Sequence, residues 1–138
     1  MEKTEVIRVV LEDLGKDAAD IQTAIDYAWQ EARSSPSGTE SQSDGRRREQ
    51  YQLAIAHQTA KQRIENAIRV LRMLDPNVEP TRPGIGSFIK TDFNNKDQWY
   101  FIVPYGGGKT LTVDGETIIT LSPESPLGEK VLKQTEAQ

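Results

Sequence analysis

DPNVEPTRPG, residues 75–84, decides how the chain is read: Pro76, Pro80 and Pro83 forbid a helix there, and nothing in it alternates as a strand does. Residues 76–84 therefore act as a stiff linker, and the spacing of apolar residues changes across it. Ahead of the linker the spacing is helical. Behind it the spacing is that of strands.

On the N-terminal side, Val6, Val9, Val10, Leu14, Ile21, Ile25, Ala28, Trp29 and Ala32 form one helical stripe between Glu5 and Arg33. Gly15 weakens this helix from within, so a bend is expected there, with Asp17 or Asp20 capping a restart. A second helix is expected from about Arg46 to Leu74, capped by Asp44, with Tyr51, Ala54, Ile55, Ile64, Ala67, Ile68, Leu71 and Leu74 on one face. Between them SSPSGTESQSDG, residues 34–45, has no period and is dense in Ser, Gly and Pro, which makes it a tip loop. Two narrow stripes of nearly equal length bury most simply against each other. Residues 1–75 are thus expected to form an antiparallel coiled-coil hairpin, ~29 residues per arm giving a rod of roughly 43 Å.

On the C-terminal side, residues 85–138 read as a small antiparallel β domain and make the fold class α+β. Ser87–Thr91, Gln98–Val103, Thr110–Val113 and Glu116–Leu121 are rich in β-branched and aromatic residues, with Asn94-Asn95 and Asp114-Gly115 as hairpin turns. SPESPLGEKVLKQ, residues 122–134, then reads as a short helix with its own cap. A β module of only ~55 residues is marginal alone, so an exposed strand edge, or a partner covering it, is expected.

Composition narrows the function. The net charge of −4 over 138 residues lacks the basic field that duplex DNA binding needs, so any nucleic-acid contact is local. The absence of cysteine removes disulfides, thiolate nucleophiles and zinc–thiolate sites. MEKTEVIRVV has neither the basic nor the apolar region of a signal peptide, and no window approaches ~18 apolar residues, so a cytoplasmic protein without membrane contact is expected. Gly106-Gly107-Gly108-Lys109-Thr110 is not a phosphate loop. Val103 stands where the first glycine is required, and a strand follows instead of a helix. His57 has no second histidine to complete a metal site and reads as solvated, while Tyr100, Phe101 and Tyr105 read as sheet core.

The tip carries the remaining chemistry. Glu40 and Asp44 are two carboxylates a few residues apart, able to provide half of a Mg²⁺ site whose other ligands come from a partner. Behind them Arg33, Arg46, Arg47 and Arg48 form a basic collar able to hold a phosphate backbone. The plainer alternative is that Asp44 caps the second helix, Glu40 is a loop residue and the arginines are a solvated face.

A helical hairpin with an acidic tip, a proline-rich linker, a small β domain and a late Ser125-Pro126-Leu127-Gly128 resembles the Gre transcript cleavage factors, which bind bacterial RNA polymerase. The resemblance covers nearly the whole chain. Gly86-Ser87-Phe88, Ile102-Val103, Ile118–Thr120, Ser125–Gly128 and Leu132 follow the family's order in the C-terminal part; Ser34-Ser35 and Gly45-Arg46 do so in the hairpin. It implies an FKBP-like β domain that docks at the polymerase's secondary channel through Ser125, Pro126, Leu127 and Gly128. It further implies a coiled coil whose tip acids share Mg²⁺ with the polymerase and promote hydrolysis at the 3′ end of backtracked RNA. On that pattern Glu40 is the first tip acid and Asp44 its companion. The chain is then no enzyme by itself but a stimulator of the polymerase's own cleavage. The family's acids usually stand three residues apart, where Ser43 stands here, and its closing pair of strands does not follow Leu132 before Gln138. The shifted acid keeps open a non-cleaving regulator of the same channel, and a coiled-coil adaptor for another protein is the reading from a different class.

Overall fold

A computed structural model of the chain describes residues 1–34, 40–78, 82–93 and 96–136, except for the side chains of residues 34, 40–44, 93, 96 and 136. Its elements are α1 (Lys3–Ser34), α2 (Glu40–Arg72), β1 (Phe88–Phe93), β2 (Lys96–Ile102), β3 (Thr110–Val113), β4 (Glu116–Leu121) and α3 (Pro126–Glu136). The α+β class expected from the period change is the observed one. The chain divides into two compact units, Gly15–Glu65 and the combination of Met1–Leu14 with Asn66–Gln138, so each long helix contributes to both.

Two helix boundaries differ from the sequence expectation. α1 runs unbroken through Gly15, and neither Asp17 nor Asp20 caps a restart. A single solvent-facing glycine costs a helix only ~1 kcal/mol, less than the buried stripe on either side returns. Arg8, bonded to Glu5 and Glu12 at 2.9 and 2.6 Å, adds local i,i+3 and i,i+4 support. α2 begins at Glu40, six residues before the Arg46 start expected, so Asp44 lies inside the helix and does not cap it. Acidic residues are favoured in the first turns, where the helix dipole is positive, and this outweighs the weak helix propensity of Ser41, Ser43 and Gly45.

In the Gly15–Glu65 unit the helices pack antiparallel. Trp29 meets Tyr51 edge-to-face with ring centres 5.0 Å apart, and Lys61 Nζ donates to Gln22 Oε1 at 2.5 Å. As the α1 partner falls from 29 to 22, the α2 partner rises from 51 to 61. The buried apolar residues are Ile25, Ala28, Ala32, Ala54 and Ile64. Along α2, Ala54, His57, Lys61 and Ile64 follow the 3-4-3 spacing of a coiled-coil seam, and the two polar members are half-buried. Tyr51 and Ile55, expected on the inner stripe, instead flank this seam and are 46% and 55% exposed.

The other unit holds one four-stranded sheet in the order β1-β2-β4-β3. β1 pairs with β2 and β3 with β4 antiparallel, but β2 and β4 run parallel, so the sheet is mixed where hairpins alone were expected. The glycine run explains the difference. A Cβ on Gly107 would lie 2.5 Å from Ser122 N and 2.8 Å from Leu121 C, while Gly106 and Gly108 have φ of +82° and +88°. The chain thus passes tightly over the end of β4 to the far edge, which only glycine permits, and β4 returns between β2 and β3. The β3–β4 turn is the expected Asp114-Gly115, with φ of 51° and 80°, as a type I′ turn requires. Asn94-Asn95 and Pro80 lie outside the described residues.

Alternation along the strands gives each sheet face its own set of buried residues. Tyr100, Ile102 and Leu121 pack with Val131 of α3, joined by Ile89, Ile119 and Leu132. The opposite face carries Phe101, Val113 and Ile118, all buried, and the same unit also buries Val6, Val10, Leu14 and Leu71. Lys109 Nζ reaches Asp13 Oδ2 at 2.7 Å and ties the glycine run to α1.

Candidate functional site

The tip residues divide by element. Arg33 stands in the last turn of α1 and is exposed; Arg46, Arg47 and Arg48 are exposed in the second and third turns of α2. Successive helical residues point ~100° apart, so these three arginines fan around α2 and do not form one basic face. Glu40 and Asp44 both belong to α2, and their side chains lie outside the described residues, as does the segment 35–39. Their backbone positions are four residues apart in one helix, hence one turn apart on one side of it.

Among the described residues no group of three or more His, Asp or Glu gathers closely enough to hold a metal ion. The donor set of Glu40 and Asp44 suits a hard cation such as Mg²⁺ only as a partial site, because such a cation takes six oxygen ligands.

The Ser125–Gly128 segment has a local structural role. Ser125 Oγ accepts the Gly128 N–H at 3.0 Å and donates to Ser122 O at 2.9 Å, so Ser125 is the N-cap of α3 and Pro126 its first residue. A Cβ on Gly128 would collide with Ser122 O, which reserves the position for glycine. Ser125 and Gly128 are thereby consumed by the fold. Pro126 and Leu127 are exposed.

A second site escaped the sequence reading. Phe88 stacks on Trp99 with ring centres 4.5 Å apart, and Lys90 Nζ stands 5.3 Å from the centre of the Trp99 ring and 3.7 Å from Asp97 Oδ2. Lys90, Asp97 and Trp99 border an open depression of about 370 Å³, closed on its other side by Gln98, Gly115, Glu116 and Thr117. The signal was present in the alternation: Lys90, Asp97 and Trp99 share a sheet face through the β1–β2 register. Tyr100 and Phe101, weighed as core, are 5% and 0% exposed and are core, and burial raises the Tyr100 phenol above its ordinary pKa.

No family model, curated protein or solved structure matches the chain. No helix among the described residues is long and apolar enough to cross a membrane.

Proposed function

We propose that the chain is a Gre-like factor of bacterial RNA polymerase that occupies the secondary channel and promotes cleavage of backtracked RNA. The observation that carries this reading is the placement of Glu40 and Asp44 one helical turn apart at the start of α2, the second helix of an antiparallel pair. In this reading Glu40 and Asp44 would hold a Mg²⁺ together with the polymerase's own ligands, and the ion supplies Lewis-acid activation of the attacking water. Arg33, Arg46, Arg47 and Arg48 neutralise the RNA backbone; their fanned arrangement suits a strand that wraps the tip better than one that lies along a single face. Pro126 and Leu127 provide the exposed docking contact, held in position by the Ser125 cap. The chain is not an enzyme alone; it completes the polymerase's centre.

A second reading, a channel-occupying regulator without cleavage, is favoured by Ser43, which stands where the resembled family carries its second acid. Stalled elongation complexes separate the two. The first reading expects RNA shortening that depends on the factor and is lost in the Glu40→Ala/Asp44→Ala double variant. Displacement of a channel ligand without shortening favours the second, and neither effect removes both.

A further inference from the structure

β3 ends the sheet order and, among the described residues, has a single neighbour, β4. We propose that its outer edge is a self-association surface, on which β3 of a second copy of this chain pairs antiparallel about a two-fold axis normal to the sheet. The proposal does not rest on the polymerase reading.

The backbone of β3 is oriented for this. Val113 and Glu116 flank the two-residue turn and form a hydrogen-bonded pair, which by alternation makes Leu111 and Ile118 the next. The Thr120 N–H donates to Lys109 O at 2.8 Å and continues the same odd-numbered series. The N–H and C=O groups of Thr110 and Thr112 therefore point away from β4. Among the described residues, no backbone bond outside the strand ladder engages either residue.

The two sheet edges are protected unequally. β1 carries Lys90 and Asp92, and Thr91 Oγ1 donates to Gln134 Oε1 of α3 at 3.0 Å. Charges and a covering helix are the usual means of blocking strand addition. β3 reads Thr-Leu-Thr-Val with no charge and no proline, and Thr110 and Thr112 are exposed.

Self-complementarity selects a second copy as the occupant. A two-fold normal to the sheet keeps each face continuous, so paired residues must share a face. Placing Leu111 opposite its own counterpart sets Thr110 opposite Thr112 of the other copy, twice. That register pairs every outward N–H and C=O of Thr110 and Thr112, forms two Thr–Thr contacts on one face and a Leu–Leu contact on the other, and brings Asp114 opposite Gly108 with no like charges facing. An arbitrary extended peptide would satisfy the backbone groups but not these side-chain matches.

Sedimentation of the full chain tests the association: the expected mass rises with concentration from 15.5 kDa towards twice that value. Thr112→Pro removes an outward N–H that β4 does not use, so it is expected to return the chain to monomer with an unchanged circular dichroism spectrum. Leu111→Cys tests the register in a chain otherwise free of cysteine. Opposed non-hydrogen-bonded residues have Cα atoms ~4.5 Å apart, within disulfide range, so mild oxidation is expected to give a covalent dimer, while Thr110→Cys is not. A chain that stays at 15.5 kDa up to about 1 mM overturns the proposal. So does a dimer that Thr112→Pro leaves intact, or equal cross-linking by Thr110→Cys and Leu111→Cys.

Discussion

The two compact units reach a closed interior by opposite means. Gly15–Glu65 closes mostly on small residues, with Ala28, Ala32 and Ala54 at 0–3% exposure beside Ile25 and Ile64, and continues its seam through half-buried His57 and Lys61. Met1–Leu14 with Asn66–Gln138 closes on large ones, Phe101, Ile102, Ile118 and Leu71, none above 0%. Alanine seams let helix backbones approach closely but bury little area per residue, whereas a Phe or Ile at full burial returns ~1.5–3 kcal/mol. The β-containing unit is therefore sensitive to lost volume, and the helical unit to added volume. The Lys61–Gln22 bond also gives the helical pair a polar register mark, of the kind that fixes alignment more than it stabilises.

The sharpest break in this comparison is Phe101→Ala, expected to cost about 3–5 kcal/mol and to shift the denaturant midpoint of the β-containing unit, read by Trp99 fluorescence in a chain whose other tryptophan is replaced, Trp29→Phe. Ala28→Leu tests the other half: overpacking at a position with 0% exposure is expected to cost about 1–3 kcal/mol, with the loss of helical signal preceding that of Trp99. If the two substitutions weaken both units equally, the contrast drawn here is wrong. Ser125→Ala removes the α3 cap and is expected to cost ~1 kcal/mol, with Ser125→Asp restoring most of it in thermal melts.

The smallest effect is the alkaline response. Burial raises the Tyr100 pKa in the folded state, so its contribution is fully present below the unfolded value of about 10 and is lost as pH rises through the folded value. Stability of the natural chain is expected to fall above pH ~10 more steeply than that of Tyr100→Phe. Parallel slopes for the two proteins would remove this role.

Much of the fold was legible because long periods and glycine chemistry are local. The two helices, four strands and capped α3 follow from spacing and from turns such as Asp114-Gly115. The parallel β2–β4 pair was not legible: the path of residues 103–109 over the end of β4 depends on a close contact at Gly107 that only the tertiary structure reveals. Nor was the α2 start, since Ser, Asp and Gly serve loops and first helical turns alike. Of the site, the residue types at the tip were visible but not their helical alignment. In Ser125–Gly128, the division between residues used by the cap and residues left outward required the hydrogen bonds. Trp99 was overlooked because its neighbours Tyr100 and Phe101 dominate the same apolar run, and a strand places successive residues on opposite faces.

The central functional claim is tested most directly by binding of the chain to purified bacterial RNA polymerase, with Leu127→Glu as the surface variant. Leu127 is 36% exposed and adjoins the Ser125 cap without taking part in it, so the variant is expected to keep its thermal stability. The account predicts saturable binding of the natural chain and at least tenfold weaker binding of Leu127→Glu, a loss of ~1.4 kcal/mol or more. Absence of binding, or binding that Leu127→Glu leaves unchanged, contradicts it.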